Sequence, residues 1–478
     1  MNQILTQYIQ NQLVRASQRL HANTIDVQGK KYPQRHIYIK VKKYIDDFIE
    51  SKSLNRWVVT PGLRGVGKTT AVSQIYFYLT QDKKIKSNNI LYVSLDEVVD
   101  LSGNLREVLS TFEKILGQSY EQQSDFIFIL LDEVQVDPKW ASVLKILHEK
   151  SKKVFIICTG SSAVELQSNA DAERRAIFER LFPMSFLEFQ MIRNNTYPIK
   201  GLKYSLQQAV YQAPNLHLAF QQLQALNQQV LTYWSKVDEL SIAEFLKLGT
   251  LPFAMSYADE YQVYQAINRL LEQVIDKDIR ALGSFNSETL SKIKPLLFLL
   301  ADSNGTLAFS TIAKALNIQR PTLNSVFEAL EKTELLIRAL PQGSSNKRVT
   351  KPSKFLFMSP ALRLALLSIS GLKQTYATQQ GALLEDVVAL HYYREFVTKH
   401  KASLMYDAAE GGADFIVNFI QHRRVVVEVG MGAKDSKQVV RTMDKVNSDY
   451  GIVISSNELK VDEENKIICL PIKYFLLM

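Results

Sequence analysis

Residues 57–70 read WVVTPGLRGVGKTT. A short apolar run of strand type leads into Gly62-Leu63-Arg64-Gly65-Val66-Gly67-Lys68-Thr69, and the helix-like TTAVSQIYFYL follows. The eight residues fit G-x-x-x-x-G-K-[ST], and a strand before with a helix after is the context this pattern needs. Glycines let the backbone curl so that its N–H groups point inward at phosphate oxygens, and the helix N-terminus adds its partial positive charge. In such a loop Lys68 reaches the β- and γ-phosphates and the Thr69 hydroxyl ligates magnesium, so the candidate nucleotide contacts run from Gly62 to Thr70. A chance glycine-rich turn would have neither flanking element.

The chain on either side supports the same sheet. Strand-length apolar runs at 57–59, 90–94, 126–131 and 154–159 alternate with helix-length segments, the signature of βαβ units around a parallel sheet. One of them, FIFILLDE, ends in acid: Asp132 is the candidate magnesium holder and Glu133 the residue that polarises the attacking water. A strand-end Asp-Glu pair that only caps a helix is the bland alternative. A GTPase would usually show glycine three residues after the aspartate, whereas Gln135 stands here, which favours ATP. SKVD at 235–238 loosely matches a guanine-reading motif but lies in helical surroundings. The next strand, VFIICTGSS, ends in Thr159, Ser161 and Ser162, candidates for sensing the γ-phosphate. Beyond it Arg174, Arg175 and Arg180 are candidates for an arginine finger, each weighed against a surface or salt-bridge role.

Composition bounds the rest. The chain has 478 residues, too many for one typical core. Its 57 Lys and Arg against 48 Asp and Glu favour a polyanionic partner without requiring one. The two cysteines, Cys158 and Cys469, lie in apolar runs and read as buried thiols of a reducing compartment, not as a zinc site. The N-terminus is a poor signal peptide and no stretch is apolar enough to span a membrane, so the expectation is a cytoplasmic protein without a membrane partner.

GLRGVGKTT, LLDEVQVDPKW, CTGSSA and FPMSFLEF together resemble the AAA+ ATPases of the archaeal-ATPase-like group of prokaryotes, and the likeness continues in GTLPFAM, VIDKDI and KPSKFLFMSP. The resemblance implies an α/β fold: a P-loop AAA+ parallel sheet with a helical lid, then a winged helix and a small α/β restriction-endonuclease-like domain. The expected division is an N-terminal helical segment at 1–50, the ATPase core at 51–190, the lid at 191–290, the winged helix at 291–360 and the nuclease-like domain at 361–478. ATP and Mg2+ are the implied cofactors; a homo-oligomer with one of the candidate arginines supplied in trans is a further expectation, and which arginine it is stays open. DNA and a regulatory protein both stay open as partners.

Two regions bear on that choice. FSTIAKALNIQRPTLNSVFEALEKTELL divides into two short amphipathic helices around Asn317, followed by a basic stretch with Lys347, Arg348, Lys351 and Lys354, as a phosphate-contacting wing would have. The alternative is a domain spacer or protein contact. Farther on, ADFIVNFIQHRRVVVEVG places Asp414 and Glu428 on successive strands, where the α-β-β-β-α-β order of a PD-(D/E)xK core would put two magnesium ligands. That core wants lysine two residues after the glutamate, and Gly430 stands there. The alternatives are Lys434 or Lys437 reaching in from the following loop, or acids that simply pair with Arg423 or Arg424. The set reads as a degenerate nuclease. The function expected is an ATP-hydrolysing switch, with an ATP-regulated magnesium nuclease and an ATP-locked interaction protein as alternatives.

Overall fold

The computed structural model describes residues 3–160, 174–257, 259–282, 285–303, 307–344, 351–369, 376–420, 423–432, 436–456 and 458–478. They form two compact units, one of residues 1–182 with Lys332–Glu334, the other of Pro183–Glu331 with Leu335–Met478.

The first unit is built on a five-stranded parallel sheet of β1 (Trp57–Pro61), β2 (Ile90–Ser94), β3 (Ile127–Asp132), β4 (Val154–Gly160) and β5 (Ile177–Phe178), in the order β2-β3-β4-β1-β5. Strands β1 to β4 are buried along their whole length. That is why they read as continuous apolar runs and not as alternating ones: helices cover both faces of a parallel sheet. The helix Gln3–Ala22 contributes Leu5, Ile9 and Leu13 to the core that holds Trp57, Ile129 and Ile156. Strand β4 lies between β1 and β3, with Thr60 opposite Thr159 and Leu131 opposite Cys158. The order brings the tips of three strands together where the loop after β1 begins.

The second unit opens with helices from Phe186–Asn194 to Ser287–Asp302. The pair Phe309–Leu316 and Arg320–Lys332 follows, with Asn317 capping the first helix in the left-handed region, as its position between two amphipathic runs predicts. An eight-stranded mixed sheet completes the unit: β6 (Leu336–Pro341), β7 (Lys354–Phe357), β8 (Ala402–Tyr406), β9 (Phe415–Phe419), β10 (Arg424–Val429), β11 (Gly451–Ser455), β12 (Lys460–Asp462) and β13 (Ile467–Pro471). Its order is β12-β13-β11-β10-β9-β8-β6-β7. The helix Tyr376–Tyr392 precedes β8 and the helix Lys437–Val446 joins β10 to β11, matching the expected order of elements. The helices of 202–234 pack on this part of the unit: the Trp234 indole donates to Lys473 O at 2.9 Å and Tyr211 meets Phe396 and Phe419.

Candidate nucleotide site

The loop after β1 is held by constraints on both sides. A Cβ on Gly62 would stand 2.3 Å from Leu181 O, so no side chain fits there. Gly67 has φ +93° and caps the helix Lys68–Phe77, a conformation that suits glycine. Leu63 and Val66 bury their side chains, leaving the loop's backbone as its polar face. The Lys68 ammonium, 5% exposed, donates to Gly62 O at 2.9 Å and Leu63 O at 3.1 Å. Arg35, unmarked by any motif, ties the loop from outside: it donates to Val66 O at 2.6 Å and Phe182 O at 2.8 Å.

At the end of β3, the buried Asp132 joins the end of β4 to the helix that follows the loop. Thr69 Oγ1 donates to its Oδ2 at 2.6 Å, and Thr159 Oγ1 donates to its Oδ1. Of the three sensor candidates, Thr159 is thus committed to Asp132, while Ser161 and Ser162 lie outside the described residues. A hydroxyl and a carboxylate side by side form a hard oxygen pair that suits Mg2+, which takes one or two protein oxygens and fills its octahedron with phosphate and water. Asp132 and Thr69 therefore fit the ion.

Glu133 follows in the left-handed region at φ +53°. Its Oε2 accepts from Gln135 Nε2 at 2.6 Å and lies 3.5 Å from Arg64 Nη2. Arg180 pairs with Glu334 at 3.1 Å, within the same unit. Burial raises the pKa of the Glu334 carboxyl, against the pull of Arg180, Lys68 and the Leu63 N–H. Arg175 pairs with Glu149 at 2.5 Å, and Arg174 is exposed.

The second unit gathers a different set. Asp414 Oδ2 accepts from Val429 N at 3.0 Å, and Glu428 Oε2 accepts from Asp414 N at 3.3 Å. Gln438, its amide nitrogen turned inward, donates to Glu428 at 2.6 Å. Neither arginine expected to neutralise these acids does so: Arg423 donates to Tyr211 O and Tyr450 Oη, and Arg424 to Val446 O. The cation is Lys354. Expected on an exposed basic wing, it is 7% exposed at the start of β7, 2.7 Å from Glu385 and 3.1 Å from Asp414. Burial pushes Glu385 up to about 7, while its two carboxylate partners raise Lys354 despite burial. Lys437 is exposed at the start of its helix, and Lys347, Arg348 and Lys434 lie outside the described residues. Among the described residues no group of three or more His, Cys, Asp or Glu is arranged to hold a metal, and no helix is long and apolar enough to cross a membrane.

Comparison with known proteins agrees with the first unit. Residues 54–190 match the AAA domain, and residues 240–373 match a domain of unknown function. A solved structure, the Walker-type ATPase PABY2304 of Pyrococcus abyssi, covers 69% of this chain and 95% of its own at 13% identity and a TM-score of 0.34, too distant to carry an argument. An uncharacterized protein of Haemophilus influenzae is 22% identical over 365 residues, 74% of this chain and 79% of its own. The uncharacterized protein MJ1637 of Methanocaldococcus jannaschii is 38% identical over 451 residues, 94% of this chain and 90% of that one. On that extent of identity the chain, with its AAA domain, belongs to the family of MJ1637.

Proposed function

We propose that the first unit binds Mg·ATP at the 62–70 loop and hydrolyses it. The observation that carries this reading is that Asp132, at the end of β3, accepts from Thr69 in the first turn of the helix after the loop and from Thr159 near the end of β4, with Glu133 next in the chain. Loop N–H groups and Lys68 hold the phosphates, and Thr69 with Asp132 would hold magnesium, which would supply charge neutralisation when bound. A water attacks the γ-phosphorus, the bond to the β–γ bridging oxygen breaks, and the water's proton passes to Glu133, leaving ADP and phosphate. Arg180 is the candidate to meet developing charge, from the same chain or from a second copy. The helices of 191–290 serve as a lid, and 291–360 as a winged helix. With the 361–478 domain they pass the nucleotide state to DNA or a regulatory protein. The surplus of nine positive charges supports a nucleic-acid partner. Phosphate release by the wild type and by Glu133→Gln, each with and without duplex DNA, tests the enzyme claim. The expected loss in the variant is about 10²-fold or more, and equal rates in the two proteins would overturn it.

A second reading, an ATP-regulated magnesium nuclease, is favoured by Lys354. This ammonium beside Asp414 is the group that Gly430 cannot supply. In that reading Asp414 and Glu428 hold magnesium and Lys354 orients the attacking water. Scoring nicks in supercoiled DNA tests it: wild-type nicking lost in both Asp414→Ala and Lys354→Met supports cutting, and no nicking, or equal nicking by all three, removes it.

A further inference from the structure

Glu133 can take a proton from water only if one carboxylate oxygen faces the water and the other is held still. The chain places it on a backbone that does little to fix its direction: the residue after β3, in the left-handed region, leading into the short turn Val134–Val136. The side chain is fixed by what it touches. Gln135 Nε2 donates to Oε2 at 2.6 Å, a short bond from an amide two residues along the same turn. Arg64 Nη2 stands 3.5 Å from that same oxygen. Among the described residues Oε1 accepts no hydrogen bond, and both side chains of the ion pair are more than four-fifths buried. One oxygen is therefore anchored and the other left for a reactant, the relation a catalytic base has to the third group that orients it.

We propose that Gln135 is the positioning residue of the hydrolytic reaction, holding the Glu133 carboxylate through Oε2 so that Oε1 meets the attacking water. Arg64 adds a second restraint from within the phosphate loop itself. Its guanidinium bonds phosphate oxygens at least as well as carboxylate, so it links the base to the presence of nucleotide. The bond from Gln135 Nε2 to Glu133 Oε2 is the contact through which Gln135 acts on the base. An acid at 135 would not serve, because a carboxylate at neutral pH has no proton to donate and would repel Glu133. This inference rests on the hydrolytic reading above and adds to it a residue that directs the base.

The test is single-turnover hydrolysis by the full-length protein, with ATP affinity measured on the same samples. Gln135→Ala and the isosteric Gln135→Glu should each lower the hydrolysis rate constant by roughly 10- to 100-fold, the cost of a misplaced reacting group, with ATP affinity unchanged. In the Glu133→Gln background, adding Gln135→Ala should change the rate no further, since the residue acts through the base. A fall in affinity with an unchanged rate, or a full additional loss in the Glu133→Gln background, would overturn the assignment and give Gln135 a structural role. If the wild type shows no Glu133-dependent hydrolysis, the hydrolytic reading itself has failed. If it does, and Gln135→Ala turns over at the wild-type rate, only the positioning assignment has failed.

Discussion

At the scale of single residues, the two acid sites differ in how their charge is balanced. Asp132 accepts from two neutral hydroxyls, Thr69 and Thr159, and from the Glu133 N–H, with no cation among these partners. Asp414 and Glu385 instead share the Lys354 ammonium. Removing that ammonium leaves two carboxylates, each 17% exposed, facing one another. Lys354→Ala should therefore destabilise the second unit by about 3 kcal/mol, read as a lowered thermal midpoint. An unchanged midpoint would mean that the pair contributes nothing. The candidate nucleotide residues stood out in the sequence because phosphate chemistry demands fixed spacing along the chain: Gly62 to Thr69 are contiguous, and the Asp132-Glu133 doublet ends an apolar strand. Lys354 was not legible. It lies among basic residues with no nearby acid, which is how a solvated wing reads, and its partners come 31 and 60 residues later. Arg35 was hidden for the same reason, since both its acceptors are backbone carbonyls that carry no signature in sequence.

Helices and strands carry their own predictions. The helix Tyr376–Tyr392 is buried along most of its inner turns, with three polar residues among them, Gln379, Asp386 and His391. Asp386 accepts from Arg363 Nε at 2.7 Å and from Phe357 N at 2.9 Å, and Arg363 in turn donates to Ala301 O. With Arg363 and Asp386 at 1% and 0% exposure, Arg363→Met strands a buried carboxylate and should cost about 3–5 kcal/mol. The double variant Arg363→Met/Asp386→Leu should recover most of that loss in thermal melts. One turn on, His391 lies among Tyr211, Tyr392, Phe396 and Phe475 with no partner at Nε2, and burial lowers its pKa from 6.5 to about 3. A depressed folded pKa means that its contribution is complete above pH 6.5 and lost as pH falls from 6.5 toward 3. The upper part of that window lies above the range where ordinary carboxylates titrate. Going from pH 7 to 5 should cost about 2 kcal/mol through this residue. His391→Phe should flatten the stability profile there, and a slope equal to wild type would refute the assignment. Nothing in the run LLEDVVALHYY tells a polar residue enclosed by partners from one facing water, and Asp386 and His391 find their surroundings in segments distant along the chain.

For the molecule as a whole, two units with separate cores fit a division of labour between an AAA domain and a remainder whose activity is open. The parallel sheet of the first unit was readable because strands buried on both faces leave apolar runs that no other arrangement explains. The packing of the 202–234 helices on the C-terminal sheet was not readable, since contacts such as Trp234 to Lys473 span 239 residues and leave no local trace. Ligand linkage applies to the first unit: a nucleotide at about 100 times its Kd should stabilise the unit that binds it by about 2.7 kcal/mol. The melting of fragments released by limited proteolysis should show that shift in the unit containing residues 62–70 and none in the other; a shift confined to the other unit would place the nucleotide elsewhere. The most direct test of the central claim is calorimetric titration of the full-length protein with Mg2+ and a non-hydrolysable ATP analogue, beside Lys68→Ala. The account predicts one site per chain in the wild type and at least tenfold weaker binding in the variant, since charge-assisted phosphate contacts are the strong ones. No binding to the wild type, or equal binding to both proteins, would contradict it.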